Sequence, residues 1–247
     1  MKTVIVGYGR MGREIESILL KRGHEITARV DSAGLGDYAE LNPEILNNCD
    51  GVIEFALPEG IEKRIELYAR SGKPSVIGTT GWDSIAGKMK NTVINSGGSV
   101  MKGSNFSIGA HLFFRITSVA SGMLNRIEQY DVSLTEYHHN KKADYPSGTA
   151  ITAAEGIIKN LERKKRIIKD LPEGPVPPEA LQVAAVRVGS VPGIHEMRMD
   201  SDADFLTIRH EARGRKGFAE GAVMALEWLN GKNGWFTAEQ FMEELLA

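Results

Sequence analysis

The run His138-His139-Asn140-Lys141-Lys142-Ala143-Asp144-Tyr145-Pro146-Ser147-Gly148-Thr149-Ala150 holds the densest chemistry in the chain. Two imidazoles, two ammonium groups and a carboxylate fall within a few residues, with no apolar spacing that would serve a core. Pro146 and Ser147 stand where the helix-forming run Ala150 to Leu161 begins, and proline suits the first turn of a helix. The backbone N–H groups of Gly148 and Thr149 then open onto the space before that helix, a ready place for a carboxylate or phosphate. Lys142, His138 and His139 beside it would bind such an anion and could move a proton. Singly these residues are ordinary loop chemistry, because paired histidines are common on surfaces and Pro-Ser-Gly makes turns. Their concentration in one segment marks a site.

A second pattern opens the chain. Thr3 to Val6 reads as a buried β-branched strand that runs into Gly7-Tyr8-Gly9-Arg10-Met11-Gly12. Met11, Ile15, Ile18 and Leu19 then follow at helical spacing, Gly23 stops the helix, Glu25 to Val30 forms a second strand, and Asp31 stands at its end. A strand, G-x-G-x-x-G, a helix, a strand and an acid about 20 residues on make the dinucleotide fingerprint. Gly7 allows the tight turn, Gly9 lets a pyrophosphate approach the backbone, and Gly12 lets helix and strand pack closely. Asp31 would accept hydrogen bonds from an adenosine ribose. A carboxylate there favours a free 2′-hydroxyl, so NADH is the preferred cofactor. Arg29 and Arg10 lie near enough for NADPH to be tolerated.

These two sites need elements to position them. Strands over Gly51 to Leu57, Pro74 to Ile77 and Ser99 to Met101 alternate with helices over Ile61 to Ser71 and Asp83 to Lys90, and Thr92 to Asn95 is a further short strand candidate. Such alternation predicts a parallel, doubly wound α/β sheet of the Rossmann type. Its ligands sit beyond the C-terminal strand ends. Gly7, Asp31, Gly78-Thr79-Thr80 and Gly103-Ser104-Asn105-Phe106 all fall at such ends.

The pattern changes after a long helix over Ile108 to Arg126. Gln129 to Glu136 alternates and reads as a strand. Glu162 to Lys169 is a basic run expected on a solvated face, and the prolines between Leu171 and Glu179 mark a loop. Leu181 to Val188, Gly193 to Met199 and Phe205 to Glu211 are successive strands, the mark of a mixed or antiparallel sheet in a second α+β domain. Gly217 to Leu229 and Phe236 to Leu246 are helical again. The division expected is residues 1–106 with 215–247 for the dinucleotide, and 107–214 for substrate and oligomer contacts. Short hinges near Ser107 and Gly214 would let the two shut over their ligands and exclude water.

With 247 residues, 42% hydrophobic and 25% charged, the chain has the composition of a globular protein with a sizeable core. A net charge of -2 gives no footprint for nucleic acid or an acidic membrane. Cys49 is the only cysteine, which excludes an internal disulfide and a cysteine-rich metal site. No signal peptide and no membrane-length apolar stretch are expected, so the expected location is cytoplasmic. No metal is expected either. Adjacent histidines on an extended chain point different ways, and no third ligand stands at a useful spacing.

The segment Glu136-x-His138-His139-x-x-Lys142-x-Asp144-x-Pro146-Ser147-Gly148-Thr149-Ala150 resembles the signature of the dihydrodipicolinate reductases, enzymes of lysine and diaminopimelate synthesis. The likeness extends to the N-terminal glycine turn, Gly78-Thr79-Thr80-Gly81, Ser104-Asn105-Phe106-Ser107 and Gly217-Phe218-Ala219-Glu220-Gly221-Ala222. The glycine turn is of a shorter form than is frequent in that family, and Tyr137 stands where small residues are frequent. The resemblance implies a Rossmann-type domain plus a substrate domain whose sheet builds a homotetramer. It implies reduction of the cyclic dicarboxylate 4-hydroxy-tetrahydrodipicolinate to tetrahydrodipicolinate by a nicotinamide cofactor. In that family His138 and Lys142 occupy the positions of the proton-transferring residues, and His139, Ser147, Gly148 and Thr149 those that bind substrate. The glycine turn with Tyr8, Arg10 and Met11, together with Asp31, Gly78 to Thr80 and Gly103 to Phe106, would line the cofactor. Either Lys142 or His138 as imidazolium could give the proton. Asp144 would orient one of them or cap the turn, and Arg215, Arg213 or Lys216 could reach the site. Two alternatives stand beside this: another NAD-dependent amino-acid or imine dehydrogenase on the same fold, and a nucleotide-sensing regulator without catalysis.

Overall fold

The computed structural model describes all residues, 1–247. It contains two compact units, Met1–Ile108 with Arg215–Ala247, and Gly109–Gly214.

Unit 1 holds strands β1 (Lys2–Val6), β2 (Glu25–Val30), β3 (Gly51–Glu54), β4 (Ser75–Ile77) and β5 (Ser99–Lys102), interleaved with helices α1 (Arg10–Lys21), α2 (Pro43–Asn47), α3 (Ile61–Ser71) and α4 (Asp83–Asn95). The C-terminal segment adds α7 (Lys216–Leu229), β11 (Gly234–Thr237) and α8 (Ala238–Leu245). All six strands are parallel, in the order β11-β5-β4-β3-β1-β2. One face packs α2, α3 and α4 through Leu46, Ile65, Tyr68, Met89 and Val93. The other packs α1, α7 and α8 through Ile15, Leu19, Ala222, Leu226 and Phe241. Helices on both faces explain why the strands are apolar throughout rather than alternating. The chain order reverses between β1 and β3, which opens the crevice where ligands of such sheets bind.

Unit 2 begins with α5 (Ile108–Met123) and a short 3-10 turn (Leu124–Arg126). There follow β6 (Asp131–His138), α6 (Gly148–Asn160), β7 (Arg166–Ile168), β8 (Ala180–Arg187), β9 (Ile194–Asp200) and β10 (Phe205–Glu211). The sheet order is β10-β9-β6-β8-β7. It is mixed, with β9 antiparallel to β6 and β10, and β8 parallel to β6 and β7. Val132 and Leu134 of β6, Leu181 and Val183 of β8, and Met197 and Met199 of β9 form one core with Phe113 of α5 and Ala150, Ala153, Ala154 and Ile157 of α6.

Four elements differ from the sequence expectation. Thr92 to Asn95 is the last turn of α4, because Met89 and Val93, four residues apart, bury the same helical face and outweigh the strand preference of β-branched residues. Helix α2 is capped by Asn42, which accepts the Ile45 N–H at 3.0 Å, with Pro43 next to it. The basic run at 162–169 contains β7, and Lys164 is buried with its ammonium 2.8 Å from Ala180 O and 2.6 Å from Asp131 Oδ1. The expected final helix is preceded by β11, which pairs with β5 at the sheet edge.

Candidate active site

In unit 1 the strand ends carry the residues expected at the cofactor. Gly7 has φ of +88°, and a Cβ there would lie 2.4 Å from Phe55 O, so only glycine fits. A Cβ at Gly12 would lie 2.3 Å from Gly7 O, which shows how tightly the first turn of α1 packs on the strand end. At Gly9 a Cβ would meet nothing within 4 Å, so the turn faces open space there. Gly9 is also the N-cap of α1, with no side-chain cap and no acid in the first turn. The leading N–H groups of Arg10, Met11 and Gly12, with the positive end of the helix dipole, are therefore left for an external anion. Asp31 is fixed beside them: Oδ2 accepts the Tyr8 N–H at 2.7 Å and Oδ1 accepts the Ala33 N–H at 2.9 Å. Each oxygen keeps a lone pair for a ribose hydroxyl. An uncapped N-terminus, an open glycine and an anchored carboxylate fit a dinucleotide.

Beyond β4 and β5 lies a cavity of about 280 Å³ lined by Thr79, Thr80, Asp83, Lys102, Gly103 and Ser104. Thr80 and Ser104 are exposed. Thr79 and Phe106 are turned inward. The Thr79 hydroxyl lies 3.1 Å from Glu54 Oε1 and 3.0 Å from Ala56 O, and accepts the Ala56 N–H at 3.1 Å. Phe106 is buried edge-on to Phe55, with ring centroids 6.0 Å apart. Asn105 Oδ1 accepts the Ser107 N–H at 2.8 Å, which shapes the turn after β5. Of the expected residues, Thr80 and Ser104 present exposed side chains to this cavity, which Asp83, Lys102, Thr237 and Glu239 also line.

In unit 2 the alternation of β6 puts Val132, Leu134, Glu136 and His138 on its buried side. His139, next along, is only partly buried, and its Nδ1 has no hydrogen-bond partner. Glu136, fully buried, is the hub. Its Oε1 accepts the Ser147 N–H at 3.0 Å and Arg187 Nη2 at 2.9 Å. Its Oε2 accepts the Ser147 hydroxyl and lies 3.3 Å from His138 Nδ1. His195 of β9, paired with Glu136 across the ladder, brings Nε2 to 3.2 Å from Ser147 Oγ. Burial alone would raise the Glu136 carboxyl, but His195, 3.6 Å away, and the hydrogen bonds from Ser147 and Arg187 outweigh it and hold the group ionised, well below the usual carboxylate range.

Ser147 caps α6 by accepting the Ala150 N–H at 3.1 Å, and Pro146 stands just before that cap rather than inside the first turn. Gly148 is exposed, and a Cβ there would meet nothing within 4 Å. Thr149 is half-buried beside it. Lys142 Nζ pairs with Asp144 Oδ1 at 2.7 Å. Burial would raise the Asp144 carboxyl, but Lys142 overrides this and holds it low. His138 is pushed down to about 4, first by burial, with His195, Lys142 and Arg187 adding to it and Glu136 opposing. It is a neutral imidazole at neutral pH. Its ring meets His195 with centroids 5.2 Å apart, and Gly193 leaves it room, since a Cβ there would lie 3.0 Å from His138 Nε2.

Residues 1–106 match the family described as dihydrodipicolinate reductase, N-terminus, and residues 109–242 match dihydrodipicolinate reductase, C-terminus. The chain belongs to the dihydrodipicolinate reductase family. A protein of Christiangramia forsetii named 4-hydroxy-tetrahydrodipicolinate reductase is 35% identical over 99% of both chains. One of the same name from Natronomonas pharaonis is 35% identical over 97% of this chain and 99% of its own. Among solved structures, a dipicolinate-bound dihydrodipicolinate reductase from Paenisporosarcina sp. TG-14 has the same fold, with a TM-score of 0.75 at 22% identity over 96% of this chain and 97% of that one.

Two residues of the unit 2 cluster, His195 and Arg187, carry no mark in the sequence, and Glu136 stands there only as part of the signature. Glu136, His138 and His195 also bring three possible ligand atoms within 4.8 Å of one another, where the sequence offered no third ligand for the histidine pair. Here the Arg187 guanidinium already balances the carboxylate charge. The sequence signal for Glu136 was its parity: it is a charged residue at a core position of β6, in step with Val132 and Leu134.

Proposed function

We propose that this chain reduces 4-hydroxy-tetrahydrodipicolinate to tetrahydrodipicolinate at the expense of NADH, with NADPH as the weaker donor, in lysine and diaminopimelate synthesis. The observation that carries it, within this family, is the juxtaposition in unit 2 of Lys142, a neutral His138 and the open N-terminus of α6 at Gly148 and Thr149. The substrate is a dicarboxylate. Lys142, His139 and the Gly148 and Thr149 amides supply the cationic and dipolar contacts that two carboxylates need.

The first-turn amides of α1, from Arg10 to Gly12, hold the pyrophosphate, and Asp31 holds the adenosine ribose. Gly78, Thr80, Gly103 and Ser104 meet the nicotinamide end. When bound, the nicotinamide supplies a hydride. The reaction also consumes one proton and releases one water. Because burial keeps His138 neutral, Lys142 is the proton donor, and His138 positions substrate through a ring fixed against Glu136. Asp144 holds the Lys142 ammonium until a substrate carboxylate takes its place.

The chain acts in the cytoplasm as a homotetramer. The face of the unit 2 sheet away from its helices supports this, since it carries exposed Val186 and Phe205. Light scattering on the purified protein measures the subunit number directly.

The decisive experiment generates the substrate in place from pyruvate and aspartate semialdehyde with the preceding synthase and follows NADH and NADPH oxidation in parallel. Synthase-dependent oxidation is expected, faster with NADH. Lys142→Ala should lower kcat by roughly 10² to 10⁴, the range for loss of a general acid, while the dissociation constant for NADH holds. A parallel loss of NADH binding would place Lys142 at the cofactor instead. NADH binding without turnover of this substrate would favour a dehydrogenase for another amino acid or a nucleotide sensor.

A further inference from the structure

The cofactor site of unit 1 contains a cation that is withheld from it. Arg29 lies two residues before Asp31, on the same side of the strand end. Its guanidinium is held by Glu16 of α1, through Nε at 3.0 Å from Oε1 and through Nη2, and by Asp37, through Nη1 at 3.2 Å. The Tyr8 hydroxyl donates to the other oxygen of Glu16. The Tyr8 ring is flanked by two guanidinium groups, Arg29 at 5.6 Å and Arg13 at 5.9 Å from its centroid. The Tyr8 backbone N–H is the donor that anchors Asp31. Glu16, Tyr8, Arg29 and Asp31 therefore form one connected cluster around the ribose end of the glycine turn. Neither charged partner is a freely solvated surface group: the Glu16 side chain is 15% exposed and that of Arg29 29%.

A 2′-phosphate brings a charge of roughly -1.5 to -2. In dinucleotide sites it is accommodated by a nearby arginine, whose planar fork matches its oxygens. Arg29 is within a side chain's reach of Asp31, but Glu16 takes two of its donors and Asp37 a third. The carboxylates around it cancel its charge. The Arg29 guanidinium also lies over the Tyr8 ring, a support that does not depend on the Glu16 charge, so loss of that charge would free the fork.

We propose that Glu16 is a specificity-determining residue for the cofactor: it locks Arg29 and thereby excludes a 2′-phosphate beyond what Asp31 does alone. The inference rests on reading the glycine turn and Asp31 as the dinucleotide site. Glu16→Gln keeps size and the hydrogen bond from Tyr8 and removes the charge.

The test titrates 2′,5′-ADP and 5′-AMP calorimetrically into the full chain without cofactor, alongside NADH and NADPH by fluorescence. Glu16→Gln should raise the affinity for 2′,5′-ADP relative to 5′-AMP by about tenfold or more, and lower KM for NADPH while kcat with NADH holds. The double variant Glu16→Gln/Arg29→Ala should return the ratio toward the parent value, because the freed cation is gone. An unchanged ratio in Glu16→Gln with NADH binding intact overturns the proposal and leaves Glu16 as a tie between α1 and β2. Failure of the parent protein to bind either dinucleotide overturns it as well, through the site on which it rests.

Discussion

Each unit buries one glutamate completely in a central strand: Glu54 on β3 and Glu136 on β6, both 0% exposed. Each is paired with an arginine. Arg64 reaches Glu54 Oε1 with Nε at 3.1 Å and Nη2 at 2.9 Å, and Arg187 reaches Glu136 Oε1 at 2.9 Å. Each also holds a hydroxyl, that of Thr79 from the loop after β4 in one and that of Ser147, the cap of α6, in the other. The difference lies in the remaining partners. Glu54 Oε2 accepts the Tyr68 hydroxyl at 2.5 Å, and burial pushes that phenol well up, so nothing around Glu54 changes charge near neutral pH. Glu136 faces two imidazoles and the cap of a helix whose N-terminus opens to solvent. The same electrostatic device fixes architecture in one unit and, in the other, the groups proposed to move a proton and hold an anion. A buried ion pair is therefore no evidence of function by itself; what it touches decides.

Glu54→Gln leaves the Arg64 guanidinium without its carboxylate and should destabilise unit 1 by about 3–5 kcal/mol, the cost of stranding half of a buried pair. Urea unfolding measures it, and the specific activity of the folded fraction should hold. A large activity loss at parental stability would move Glu54 into the site. Glu136→Gln should lower kcat by about 10². It should also shift the acid limb of the kcat profile to lower pH, because the Glu136 charge is what raises His138 against the other influences. A profile that keeps its shape would make Glu136 as architectural as Glu54.

Acid stability sharpens the contrast. His138 falls from an ordinary value of 6.5 to about 4 in the folded chain. A base depressed on folding binds protons more readily when unfolded, so its contribution to stability is full above 6.5 and is lost as pH falls toward 4. Unfolding of unit 2, followed by hydrogen exchange of β6, should weaken across that interval, and His138→Gln should flatten the slope. The smallest effect expected is that of Ser147→Ala, about 1 kcal/mol for a lost N-cap, with substrate KM rising more than kcat falls.

The sequence made the glycine turn legible because each glycine answers a backbone demand that local residues declare. Gly7 needs a positive φ, and Gly12 needs to touch the turn itself. The segment from His138 to Thr149 was legible for the same reason, since its cap and its cations are neighbours in the chain. His195 and Arg187 were not, because only the register of β9 and β8 against β6 brings them to Glu136 and His138. Inward-turned Thr79 and Phe106 illustrate the complementary loss: both sit in the expected loop, but which way a side chain points depends on Glu54 and Phe55, which come from another strand. Strand β11 leaves no mark in the sequence because Gly234 to Thr237 is too short to show a period, and its only pairing is with β5.

That late strand bears on the order in which the chain can be built at the ribosome. Gly109–Gly214 is one uninterrupted stretch, and every strand of its sheet has been made once Glu211 is added. The sheet of unit 1 is different. Its strand β5 waits for Gly234 to Thr237, and Ile5, Ile53 and Val76 on one of its faces wait for Ala222, Leu226 and Phe241 to cover them. A nascent chain released early, just past Gly214, would carry a finished second unit behind a first unit that still lacks its C-terminal half, with an apolar sheet face bare and recognisable to chaperones and proteases.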